Sequence, residues 1–108
     1  MFCIRIIRLF RSIIIFSFYI IMFQKLLVEF LGTVFFLYVI LSVGHPLAIG
    51  AALTIAIIVG GKVSGGHFNP AVSLMMVAAK KLRMSDAAPY ILAQVAGGMV
   101  ALELYKKL

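Results

Sequence analysis

Acidic residues are what this chain has least of: Glu29, Asp86 and Glu103 are the only three in 108 positions. They form no acid pair, and no nucleophile–base set or cofactor-binding loop accompanies them, so neither an enzyme nor a cofactor is expected. A single cysteine, Cys3, excludes an internal disulfide and supplies no metal cluster. The two histidines, His45 and His67, sit in different connections with no acidic pair nearby, which argues against a metal site. Charge of either sign is scarce at 12% of residues, too little to cover the large relative surface of a small soluble domain. What fills the chain instead is apolar: 65% of residues are hydrophobic and the mean hydropathy is +1.21. That composition belongs to a protein whose partner is the lipid bilayer. A net charge of +7 raises the question of nucleic acid. However, Arg5, Arg8, Arg11, Lys25, Lys80, Lys81 and Arg83 flank apolar segments, as they do where membrane proteins fix their orientation, and no nucleic-acid partner is expected.

Three runs can cross a membrane. The first is 26–43, with Glu29 just inside it; Gly44-His45-Pro46 ends it and leaves room only for an antiparallel return. The second, 47–61, is slightly short and ends at Lys62, whose stem can snorkel. The third is 86–105, with Asp86 as its cap and Pro89 in its first turn, where a missing donor costs little. Small residues repeat every four positions at Ala48, Ala52, Ala56 and Gly60, and again at Ala93, Gly97 and Ala101, so that helices can approach closely. Basic residues concentrate before the first span and between the second and third, which puts the N-terminus and that second connection in the cytoplasm; Lys106 and Lys107 run against this. Residues 1–21 are a basic and apolar extension that fits poorly. Ser12 to Phe23 is too short to span, and no small-residue cleavage site follows it. The alternatives are an over-extended reading frame, with Met22 as the biological start, or an amphipathic or merged extension of the first helix.

Between the second and third spans lies Ser64-Gly65-Gly66-His67-Phe68-Asn69-Pro70-Ala71-Val72. Asn69 suits an N-cap and Pro70 the first helical position, so a short helix to Ala79 starts inside a hydrophobic region. Its free N–H groups and positive dipole end then face whatever occupies that depth. Broken backbone there requires burial in protein or a water-filled cavity, so 63–79 reads as a re-entrant loop and half-helix forming one wall of a pore. The bland alternative is an ordinary cap in a surface loop.

The same run resembles the first Asn-Pro-Ala box of the aquaporin and glycerol-facilitator (major intrinsic protein) family. Glu29-Phe30-Leu31-Gly32-Thr33 resembles that family's first-helix signature and Gln94-Val95-Ala96-Gly97 its third-helix signature, in the family's order within 22–108. The resemblance implies an all-α membrane protein, an aquaporin-like half with three transmembrane helices plus one re-entrant half-helix. It covers the first of the family's two boxes and three of its six helices. It implies a passive channel module for water or small neutral solutes such as glycerol, completed by a second half or by another copy of the chain. The pore-lining residues it implies are Gly65, Gly66, His67 and Phe68 through their carbonyls, Asn69 as donor, and Pro70 and Ala71 beside it. Ile49 stands where orthodox water channels carry a bulky aromatic, which implies a wider constriction. Glu29 is implied to brace the loop by accepting backbone N–H bonds, and Gln94 to bond to the same region; the plainer readings are a carboxylate reaching water and a generic interhelical amide. The competing function is a non-conducting truncated product or a small helical membrane interaction protein.

Overall fold

The computed structural model describes all of residues 1–108, and it contains four helices and no strand. Helix α1 runs Phe2–Ser42, α2 Pro46–Ser64, α3 Pro70–Ala78 and α4 Met84–Lys107. The fold is an all-α membrane architecture in which α1, α2 and α4 are long and apolar enough to cross a bilayer.

The helix that holds the expected first span, 26–43, begins at Phe2, the arrangement of the merged alternative for the extension. No glycine or proline occurs before Gly32, and Ser12 and Ser17 stay within the helix, so residues 1–21 merge into it. Its 41 residues make it about 62 Å long, roughly twice the thickness of a hydrocarbon core.

The other boundaries also follow local chemistry. His45 caps α2, its Nδ1 accepting from the Leu47 amide at 3.2 Å, and Pro46 takes the first helical position. α2 continues past the expected end at 61 to Ser64, because the residue that adopts the left-handed conformation is Gly65 (φ 95°). Gly60 and Gly61 stay helical; Gly60 instead lets Val28 of α1 press against α2 where a Cβ would collide. α3 stops at Ala78, and the N–H groups of Lys81 and Leu82 fold back to the Met76 carbonyl at 2.8 and 3.1 Å. α4 begins at Met84 with Arg83 at the cap position, so Asp86 is not the cap. The Asp86 carboxylate lies in the first turn and takes the Arg83 guanidinium on both oxygens, at 3.1 and 3.3 Å. The earlier start also places Pro89 in the second turn, where it forfeits the bond to the Ser85 carbonyl.

α1 packs against α2 and α4, and α3 against α4. Gly97 allows a close approach of α1 to α4: a Cβ there would lie 2.7 Å from the Phe30 carbonyl oxygen. Ala52, Ala56, Gly60, Gly97 and Ala101 are buried, whereas Ile55, Ile58, Val59, Leu92, Val95 and Met99 are exposed. Small residues inside and large apolar residues outside is the arrangement suited to lipid, which gives helices no hydrophobic reason to associate.

Candidate functional site

The interior is polar. Glu29, Thr33, Ser73 and Gln94 are at most 1% exposed and converge with Ser64, His67 and Tyr90 where α1, α4 and the 65–69 loop meet. Glu29 is the hub. Its Oε1 accepts from the His67 amide (2.9 Å) and the Ser64 hydroxyl (2.7 Å), and its Oε2 from the Phe68 amide (2.7 Å) and Gln94 Nε2 (3.0 Å). All four partners donate, which is what a carboxylate removed from water requires. Ser64 Oγ in turn accepts from the Gly66 amide at 3.1 Å, while the Tyr90 hydroxyl donates to the Ser64 carbonyl at 2.6 Å. Gln94 Nε2 also donates to Ser73 Oγ at 2.9 Å, and Ser73 Oγ lies 2.9 Å from His67 Nδ1.

The loop is consequently one-sided. The four amides from Gly65 to Phe68 are all engaged, on Gly61, Ser64 and Glu29, whereas the four carbonyls of the same residues accept nothing from the protein. Gly65, Gly66 and Phe68 have φ of 95°, 65° and 51°, and these left-handed residues on either side of His67 let the His67 and Phe68 amides converge on one carboxylate. Phe68 pays for a conformation that bulky residues avoid, and is kept there by its amide bond to Glu29 and by its ring, which fills the space over Gly32. Asn69 caps α3, its Oδ1 accepting from the Ala71 amide at 2.8 Å; it is exposed, and its amide nitrogen donates to no protein group. Pro70 is half-buried and Ala71 exposed at the start of α3.

Glu29, Gln94, Gly65, Gly66, His67, Phe68, Asn69, Pro70 and Ala71 thus share one region. Ile49 does not: it lies in the first turn of α2, about 22 Å along the helix from Ser64. Sequence reasoning passed over Ser64 as a cluster member, Ser73 and Tyr90. The available signal for Ser73 was a lone hydroxyl in an otherwise apolar half-helix, four residues after the cap.

The family model for the major intrinsic proteins matches residues 18–108. The chain belongs to that family. Its members are membrane channels and not enzymes. The chain is 42% identical over 87 residues to glycerol uptake facilitator protein-like 6 of Lactiplantibacillus plantarum, covering 72% of this chain and 40% of that protein. It is likewise 42% identical over 96 residues to aquaporin Z of Brucella melitensis, covering 74% and 42%, and 42% identical over 62 residues to the aquaglyceroporin AqpS of Rhizobium meliloti, covering 57% and 27%. The chain therefore spans less than half the length of these curated relatives. No solved structure matches it. As a major intrinsic protein with three apolar helices of spanning length, it is an integral membrane protein.

Proposed function

We propose that this major intrinsic protein chain is one half of a passive channel for water or small neutral solutes such as glycerol, with residues 65–71 forming one wall of the pore. The observation that carries this reading is the run of four unengaged carbonyls from Gly65 to Phe68, followed directly by the free amide of Asn69. Backbone carbonyls at membrane depth need water or protein to accept from, and a file of acceptors ending at a donor is what a single row of water molecules exchanges hydrogen bonds with. The Asn69 donor and the α3 dipole together place positive potential there, which disfavours cations. Glu29 acts from behind the wall, bracing the loop by holding the His67 and Phe68 amides, and Gln94 braces Glu29 in turn by donating to its Oε2. Ile49, aliphatic and at the far end of α2, leaves the constriction wide enough for more than water. Enclosing a pore requires a counterpart to α3, from a second half or another copy of the chain. Five basic residues from Lys25 to Arg83 against Lys106 and Lys107 place the N-terminus and the loop in the cytoplasm; the same bias makes a separate second half a better partner than an inverted copy.

Stopped-flow shrinkage of proteoliposomes, run beside glycerol uptake, tests the reading. Asn69→Ala lowers flux by removing the donor, and Asn69→Asp blocks flux or admits cations by placing negative charge at the dipole end. If both variants match the parent in a conducting assembly, Asn69 does not line the pore.

A further inference from the structure

Three helical hydroxyls, on Thr33, Ser42 and Thr54, donate back to the carbonyl one turn earlier, at 2.6, 2.8 and 2.8 Å. Ser73 makes no such bond. Its Oγ has two partners, Gln94 Nε2 and His67 Nδ1, each at 2.9 Å. The orientation of the Gln94 amide is fixed by Glu29: turned over, it would set its carbonyl oxygen against a carboxylate oxygen. Gln94 Nε2 therefore gives one hydrogen to Glu29 and one to Ser73, at the expense of its own Oε1, the one buried side-chain polar atom without a partner. Ser73 Oγ, already accepting, has one proton to give, and His67 Nδ1 is the remaining group within reach. Nδ1 must accept it, so the proton of a neutral His67 ring sits on Nε2. Nε2 has no protein partner and, not being a buried orphan, reaches the loop surface beside Gly65, where an added Cβ would come within 3.1 Å of it.

We propose that Gln94 and Ser73 are positioning residues that hold His67 as its Nε2–H tautomer, so that the side chain offers a donor beside the free carbonyls of the loop. The chain Glu29–Gln94–Ser73–His67 draws on three helices and the loop, so a side chain on α4 that never reaches the loop surface decides whether that surface carries a donor or an acceptor. The use of this donor by a permeant rests on the channel reading; the tautomer does not.

Nitrogen-15 spectra of histidine-labelled protein in micelles, at a pH where the ring is neutral, test it directly. His45→Asn keeps a capping side chain at position 45 and leaves His67 as the one signal. The expected spectrum shows one-bond N–H coupling at Nε2 and none at Nδ1. Ser73→Ala removes the donor to Nδ1 and moves the proton to Nδ1 in a measurable fraction of molecules; Gln94→Leu does the same by releasing the Ser73 hydroxyl to turn back on the Asn69 carbonyl, as the other three helical hydroxyls do one turn back, so that its oxygen accepts from Nδ1–H. Ser73→Thr keeps the hydroxyl and restores the parent spectrum. A proton on Nδ1 in the parent, or a parent-like tautomer in both Ser73→Ala and Gln94→Leu, overturns the proposal. Flux is read separately, in proteoliposomes holding the chain with its second half: the expected spectra from an assembly that conducts nothing would sink the channel reading and leave the positioning intact.

Discussion

From Phe2 to Phe23, α1 is covered in apolar side chains and meets almost nothing, apart from the Arg83 guanidinium 5.3 Å from the Phe18 ring. From Lys25 to Ser42 the same helix is held between α2 and α4, and its two buried side chains, Glu29 and Thr33, are polar. The two ends are about equally apolar, yet only one has partners. In water both would need covering. In lipid an apolar surface is already solvated, and helices are tied by close approach of small residues and by hydrogen bonds. Residues 2–24 have no glycine or alanine to allow a close approach and contribute nothing to the polar cluster.

That contrast can be broken most forcefully at Glu29. Glu29→Ala strands the His67 and Phe68 amides, at about 1–3 kcal/mol for each group left unsatisfied, and removes the acceptor of Ser64 and Gln94 as well. A large fall in thermal midpoint in detergent is expected, with new protease cleavage between 63 and 69; a parent-like melt would mean that the cluster does not hold the loop. Gly97→Ala comes next. It pushes α1 from α4 by wedging a methyl group against the Phe30 carbonyl, a strain of about 1–3 kcal/mol that the same melt reads. Tyr90→Phe removes one bond to the Ser64 carbonyl and lowers stability by about 1 kcal/mol, which a denaturant titration resolves. Deleting residues 1–21 has the smallest effect: insertion, yield and thermal midpoint stay as in the full chain. Lost insertion would make the extension a working anchor and erase the contrast between the two ends of α1.

The sequence carries the all-helical membrane fold legibly, because hydropathy and punctuation are local. Gly44-His45-Pro46 and Asn69-Pro70 mark helix starts that the structure has at Pro46 and Pro70. The ends that depend on competing neighbours were less readable. Gly60 and Gly61 stay helical past the expected end at 61, and it is Gly65 that takes the left-handed cap. The seamless run of α1 through residue 21 reflects the lack of any stop signal, which is harder to notice than a signal. Around the loop, Glu29 and Gln94 stand out as polar residues in apolar spans, and the structure brings them within 3.0 Å of each other. Ser73 and Tyr90 do not stand out, since a serine or tyrosine in a membrane helix is ordinary; their partners lie 6 and 26 residues away, and no local pattern records such pairings.

The Glu29 hub also fixes an order of events during synthesis. The ribosome delivers Glu29 first, its loop donors 35 to 39 residues later, and Gln94 after 65. Until then a carboxylate in the first span has no partner, and an unpaired charge within a membrane span is costly. The nascent first span therefore gains a reason to stay in the membrane with each donor that emerges, and α4 closes the set. Ribosome-bound intermediates ending before Ser64 should release α1 from the bilayer more readily than those extended past Gln94, which makes the last helix a condition for securing the first.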